Sequence, residues 1–323
     1  MSFLLVFDAA MGTALDVEII TYEDFSANNA AAVNKLKEAL LKNGIVGIKE
    51  VPGFRELVAE FIQTARDFQA LSEATKNQYA PNRDIGEFLG YEEGMEKFQR
   101  PDGSWAIDRN KVSFYTRLDQ DIDNKWPAEV PLKSAFQNLG VLITDVAKTV
   151  MEKVALTGGD TGISPDDLGA IGRMLYYRNQ KAIDPNPYWC GAHFDHGTLT
   201  ALLPAFYFQE NVPVSEPPEA GLFVRTDAAE FRKVVVHDSD VLLFQVGEFG
   251  QLISNDKLKA TEHRVHRAIG PIERYTLAIF FTPQSTTAIR SVSILTQDTR
   301  YGDTDECIYG DWHVRSIDRY RAR

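Results

Sequence analysis

The sharpest chemical signal in the chain is the run Gly191-Ala192-His193-Phe194-Asp195-His196-Gly197. On a strand or at its end, a period of two puts the His193 and Asp195 side chains on one face and Phe194 on the other. An imidazole and a carboxylate on one interior face are two ligands of a metal site. A third can come from Thr261-Glu262-His263-Arg264-Val265-His266, about seventy residues later. Two histidines and one carboxylate occupy one side of a divalent ion and leave the other side open. Such triads are associated with non-haem Fe(II) oxygenases, where a co-substrate and dioxygen must both reach the iron. Spacing does not choose between His263 and His266. It also leaves His196 as a ligand or a supporting group, and a bare His-x-Asp is common.

A second feature lies in Arg274 to Pro283. Read as a strand, it puts Arg274, Thr276, Ala278 and Phe280 on one face and Tyr275, Leu277, Ile279 and Phe281 on the other. An arginine facing an interior is costly unless it meets an anion. Its planar fork suits a carboxylate, and a neighbouring hydroxyl adds a hydrogen bond. A surface salt bridge at a strand end explains Arg274 equally well.

These groups need elements to position them. Val33, Leu36 and Leu40 mark a helix over Asn29 to Lys42, stopped by Asn43-Gly44, with a strand at Ile45 to Ile48. Leu57, Val58, Phe61, Ile62, Ala65 and Phe68 mark a second helix from Phe54. A third keeps helical spacing from Leu132 to Val154, and Ser164-Pro165 caps a short fourth. After residue 171 the chain reads as strands separated by turns, among them Leu199 to Leu203, Gly221 to Val224, Phe231 to Val236, Val241 to Gln245 and Tyr275 to Phe281. The expectation is a mainly β fold with flanking helices, its strands closing into a jelly-roll barrel.

Composition bounds the function. The chain has 323 residues, 44% of them apolar, with 19 Phe, 12 Tyr and 4 Trp, enough for a sizeable core. A net charge of −12 argues against a nucleic-acid partner, and the run Arg319 to Arg323 is too short to reverse that. Two cysteines exclude a disulfide framework and fit a reducing compartment. The opening Met1 to Phe7 is a poor signal peptide, and no apolar run reaches membrane length. A cytoplasmic protein is the resulting expectation. All six histidines lie at or after position 193, so the first three fifths of the chain supply no imidazole.

Taken together, the pattern resembles the isopenicillin N synthase-like family of iron(II)- and 2-oxoglutarate-dependent oxygenases. The matching stretches are Met174 to Tyr177, His193-Phe194-Asp195, Gly221 to Val224, Gln245 to Glu248, Leu252 to Asp256, Ala260 to Val265 and Arg274-Tyr275-Thr276. Agreement is dense from about 170 to 284 and looser before it, through Leu41 to Val46, Ala65 to Lys76 and Ser113 to Tyr115.

The resemblance implies a double-stranded β-helix and one oxygenase domain over 1–323. Its parts are a mostly helical region at 1–170, a jelly-roll catalytic core at 171–284, and a tail at 285–323 closing over the barrel. It implies that His193, Asp195 and His263 hold Fe(II), the Arg-Val pair after His263 selecting it over His266. Arg274 and Thr276 would hold the distal carboxylate of 2-oxoglutarate, with Tyr177 assisting. The implied activity is oxidation of a small organic molecule, hydroxylation by default, using dioxygen and releasing succinate and CO2. Plant relatives often have Asn at Leu175 and Pro at Arg178. Arg178 is therefore expected to face the substrate channel and favour a carboxylated molecule, with Phe114 a further substrate-side candidate. An iron-dependent oxidase or cyclase without 2-oxoglutarate, and a non-catalytic binding barrel, stay open as alternatives. Oligomeric state is not legible.

Overall fold

Strand Ile272–Thr282 is the spine of the larger sheet in the computed structural model, which describes residues 14–99, 103–158, 161–178, 186–226, 229–302 and 307–318. The opening Met1 to Phe7, the turn residues Asp184-Pro185 and the run Arg319 to Arg323 lie outside the described residues. The spine pairs antiparallel with Gly169–Tyr177 on one side and with Leu199–Leu202 and Phe206–Gln209 on the other. Lys111–Arg117 and Gly90–Glu93 extend the sheet past Gly169–Tyr177, and Val241–Val246, Ile45–Lys49 and Ile19–Thr21 extend it past Leu199–Leu202. A five-stranded sheet runs in the order Leu15–Asp16, Phe231–Val235, Gly221–Arg225, His263–His266, Tyr188–His193.

Alternation along the spine divides the molecule. Tyr275, Leu277, Ile279 and Phe281 join the main apolar core with Phe61, Phe136 and Val146 of the helices Phe54–Ala70 and Leu132–Lys153. Arg274, Thr276, Ala278 and Phe280 face the other way, into a cavity of about 1800 Å³ lined from both sheets. Phe61 and Phe136 meet edge to face at 5.0 Å. Such a pair adds ~0.5–1.5 kcal/mol to the ~1.5–3 kcal/mol that burial of each large side chain contributes. Helix Ala30–Lys42 starts where the Asn29 side chain accepts the Ala31 and Ala32 N–H groups. It stops before Gly44, whose φ of +67° is costly for other residues and where a Cβ would lie 2.2 Å from the Lys259 carbonyl.

The closed barrel expected from the run of strands is not what the chain builds. It forms a mixed α/β fold of several sheets with flanking helices, and among the described residues no sheet closes on itself. The physical reason lies in the N-terminal half. Leu15–Asp16 adds in parallel to Phe231–Val235, and Ile19–Thr21 adds in parallel to Ile45–Lys49. Lys111–Arg117 and Gly90–Glu93 take the opposite edge of the larger sheet. Edges that barrel closure would have used are satisfied by N-terminal strands instead.

Candidate metal and co-substrate site

Strand pairing assembles the metal site. His193 ends the strand Tyr188–His193, and its Cα partner is His263, the first residue of His263–His266, so the two rings lie 4.2 Å apart. Asp195 follows in the turn beyond the strand, where its carbonyl accepts the Glu248 N–H at 2.8 Å. His266, three residues from His263, stacks on Phe223 at 3.8 Å. An odd separation on a strand reverses the face, which is why His263 and not His266 joins Asp195.

His193, Asp195 and His263 each offer a ligand atom, all within 4.8 Å of one another. His193 Nε2 and His263 Nε2 stand 3.9 and 3.8 Å from Asp195 Oδ1, too far for hydrogen bonds and converging on a shared point. His193 Nδ1 lies 2.8 Å from the Gly191 carbonyl and His263 Nδ1 2.9 Å from the Thr261 carbonyl. Carbonyls only accept, so each Nδ1 carries a proton and Nε2 is the nitrogen left to face the ion, His193 giving up its Nε2 proton when a metal binds. That outer support is what metal-binding histidines require. Burial and the neighbouring His193 push His263 down to about 4, so it is neutral at physiological pH. Burial favours the neutral acid at Asp195, but His263 and His193 hold the carboxyl below its ordinary range. Burial opposes charge on His193, yet Cys190 and Asp195 outweigh it and raise the group to about 9. The electrostatics thus favour a positive charge at this point, and two imidazoles with one carboxylate fit Fe(II).

The opposite wall supplies a cation. Arg274 is buried, its Nε donates to Tyr207 Oη at 3.3 Å, and its guanidinium lies 5.1 Å from the Tyr177 ring centre. Among the described residues its Nη1 has no hydrogen-bond partner. A buried, unpaired guanidinium nitrogen facing a cavity is costly until an anion arrives, and a dicarboxylate co-substrate supplies one. Tyr177 and Thr276 line the same cavity, but the Thr276 hydroxyl donates to the Leu203 carbonyl at 3.0 Å. Burial raises the Tyr177 phenol to about 12, so it stays protonated as a donor.

The structure brings His193, Asp195, His263, Arg274, Thr276 and Tyr177 around one cavity and does not bring Arg178 or Phe114 to its wall. Gly169–Tyr177 ends one residue before Arg178, which ion-pairs with Glu93. Phe114 is fully buried beside Phe68 and Phe136 on the helix side of the sheet. Tyr207 and Glu216 were not singled out in the sequence: Tyr207 Oη donates to Glu216 Oε2 at 2.9 Å and so anchors Arg274 from behind. Alternation in Phe206-Tyr207-Phe208 was the available signal.

Comparison with known proteins agrees with this geometry. Residues 171–283 match the family model of the 2OG-Fe(II) oxygenase superfamily, and 17–129 match that of the non-haem dioxygenase in morphine synthesis N-terminal region. The first match contains the whole triad. Over residues 171–283 the chain belongs to the 2OG-Fe(II) oxygenase superfamily. Among superfamily relatives, scopoletin 8-hydroxylase of Arabidopsis thaliana is 27% identical over 71% of this chain and 59% of its own length. The 1-aminocyclopropane-1-carboxylate oxidase homolog 3 of the same plant is 24% identical over 78% of this chain and 63% of its own. The chain thus spans about three fifths of the length of these relatives. Among solved structures, a full-length Neurospora crassa protein in complex with alpha-KG superposes with a TM-score of 0.72 at 19% identity, covering 94% of this chain and 96% of that one. A dioxygenase for auxin oxidation from rice gives 0.64 at 20%, covering 95% and 100%. These superpositions establish the shared fold. No described helix is long and apolar enough to cross a membrane.

Proposed function

We propose that the protein is an Fe(II)- and 2-oxoglutarate-dependent dioxygenase of the isopenicillin N synthase-like branch, acting on a small organic molecule in the cytoplasm. One observation carries this reading: three convergent metal ligands share a cavity with a buried guanidinium that has an unpaired nitrogen. Bound iron supplies the redox chemistry by which dioxygen gives one oxygen atom to 2-oxoglutarate, yielding succinate and CO2, and the other to the substrate. The chain's own residues bind and orient. His193, Asp195 and His263 hold one side of the ion and leave the other to the reactants. Arg274 takes the distal carboxylate of 2-oxoglutarate, Tyr177 donates a hydrogen bond, and Thr276 joins by turning its hydroxyl away from Leu203. The apolar inner face at Leu175, Ala278 and Phe280 keeps water from the reacting centre.

Residues 1–323 act in this reading as one oxygenase unit. The catalytic core is 171–284, and 285–323 close over it. The placement of Tyr309, His313 and Ile317 along the cavity supports that role for the C-terminal helix. Relatives captured with thymine or with JA are consistent with a small-molecule substrate.

An anaerobic titration with Fe(II) and then 2-oxoglutarate tests the reading. The expected result is the weak visible charge-transfer band of the chelate, with affinity for 2-oxoglutarate at least about tenfold weaker in Arg274→Ala, as loss of a charge-assisted hydrogen bond predicts. Iron binding without the band would indicate an oxidase or cyclase that does not use 2-oxoglutarate. No iron binding would indicate a binding protein.

A further inference from the structure

The inner face of the larger sheet carries a second cationic group that neither the metal nor Arg274 uses. Cross-strand register arranges that face in rows. Lys111, Tyr177 and Arg274 form one row, and Tyr115, Arg173 and Ala278 form another two rows along. Lys111 and Arg173 both ion-pair with Glu96, which reaches onto the sheet just before the hairpin Lys97–Gln99 and Trp105–Ile107. Arg173 Nε also donates to Ser113 Oγ at 3.0 Å, and its guanidinium lies 4.9 Å from the Tyr115 ring centre. Lys111 Nζ is 3.4 Å from Cys190 Sγ, itself 3.8 Å from Nδ1 of His193. This group of charges is therefore two contacts from the metal ligand His193.

Two cations share one carboxylate here, so the contact set has a surplus positive charge. Lys111 is buried, and Arg173 is 14% exposed. Arg117 lines the same wall one row beyond Arg173. Asp108 lies nearby and accepts the Asn110 N–H at 2.9 Å, in the turn that leads into the strand. In a chain of net charge −12, a basic wall inside the cavity is a local reversal of sign. A surplus buried charge is costly unless a counter-ion meets it, and the cavity leaves room for one to enter. The surfaces around it, Leu175, Leu202, Val265, Ala278 and Phe280, are apolar.

We infer that Lys111 and Arg173 form a carboxylate-recognising subsite, so that the substrate is an organic acid with an apolar body whose carboxylate they hold while its oxidised carbon faces the metal. The inference rests on the dioxygenase reading and names its substrate class. Glu96 keeps the two cations in place when the subsite is empty. Removing either cation also removes the surplus, because the remaining one balances Glu96. Lys111→Gln and Arg173→Gln are thus expected to stay folded.

The test uses the full chain loaded with Mn(II) and 2-oxoglutarate under nitrogen. It is screened by thermal shift and calorimetry against apolar carboxylic acids, each paired with its own primary amide. Wild type is expected to bind acids about tenfold or more above their amides. Arg173→Gln and Lys111→Gln should each erase that preference while keeping 2-oxoglutarate affinity within about twofold, and Glu96→Gln should strengthen acid binding. Amides binding as well as acids, a panel with no acid bound, or an acid preference surviving in both glutamine variants would each overturn the inference. Weakened 2-oxoglutarate binding in Lys111→Gln would also overturn it, by assigning the cations to the co-substrate. Failure of wild type to bind 2-oxoglutarate at all would instead overturn the dioxygenase reading beneath it.

Discussion

Arg274 depends on a residue that does no chemistry itself. Tyr207 Oη accepts from Arg274 Nε and donates its own proton to Glu216, which also pairs with Lys233 at 2.8 Å. Tyr207→Phe removes the acceptor and leaves the ring. The expected outcome is about three- to tenfold weaker 2-oxoglutarate binding by calorimetry, from ~0.5–1.5 kcal/mol per hydrogen bond, with Fe(II) affinity unchanged. Glu96 supplies a pH prediction. Burial alone would raise its carboxyl, but Lys111 and Arg173 hold it far below the ordinary range. A folded value below the unfolded one, about 4.3, means stability that is present above that pH and lost as pH falls toward the folded value. The stability gap between wild type and Glu96→Gln should therefore be widest near neutrality and shrink below about pH 4, measured by denaturant titration across pH; a gap constant with pH would count against the ion pairs. At this scale the sequence was legible where spacing met strand parity. His193 and Asp195 were plain, while the choice of His263 over His266 needed the resemblance. Arg178 drew notice because it replaces a family proline. The same period of two, counted back from Tyr177 through Leu175, reaches Arg173, the arginine of that strand, which does line the cavity.

Elements place these residues through backbone contacts that side-chain patterns do not advertise. The turn carrying Asp195 is packed against the start of helix Glu248–Ile253: Glu248 N–H donates to the Asp195 carbonyl, and Gly247 N–H to the Thr198 carbonyl at 3.3 Å. A Cβ on Gly247 would lie 2.1 Å from the Gly197 carbonyl oxygen, so backbone must move to admit it. Gly247→Ala is expected to cost about 1–3 kcal/mol, as overpacking does, and to displace Asp195. The check is the thermal stabilisation by Fe(II), which should fall in the variant along with its melting temperature in the absence of metal. Helices Phe54–Ala70 and Leu132–Lys153 were readable because their apolar residues keep the helical period over many turns. Two faces of Ile272–Thr282 were readable for the same reason at period two. Sheet closure was not, since alternation fixes which side a residue faces but not which edge a strand joins. Leu15–Asp16 and Ile19–Thr21 are too short to show a period, yet they occupy the edges that decided the architecture.

Across the whole molecule, a buried ion pair joins the C-terminal region to the metal site, beside the ring contacts of His196 with Trp312 and His313. Arg300 donates to both oxygens of Glu248, at 2.6 and 2.7 Å, and to Ser316 Oγ of helix Tyr309–Ile317 at 3.2 Å, with its guanidinium 5.4 Å from the Trp312 ring centre. Both partners are nearly inaccessible, at 7% and 5%. The contacts form a continuous line from the helix that flanks the cavity, through Arg300 and the Glu248 backbone, to Asp195. Arg300→Met leaves a buried carboxylate without its partner, a change that costs ~3–5 kcal/mol. If the line is only a structural fastener, the loss of stability should be the same with and without metal. If it also positions Asp195, Fe(II) should stabilise Arg300→Met less than it stabilises wild type, because ligand stabilisation scales with affinity for the folded state. The second outcome is expected, since Glu248 holds both ends of the connection: its side chain takes Arg300 and its N–H holds the carbonyl of a metal ligand. Denaturation followed with and without Fe(II) under nitrogen separates the two, and equal stabilisation by the metal in both proteins would reduce the ion pair to a fastener.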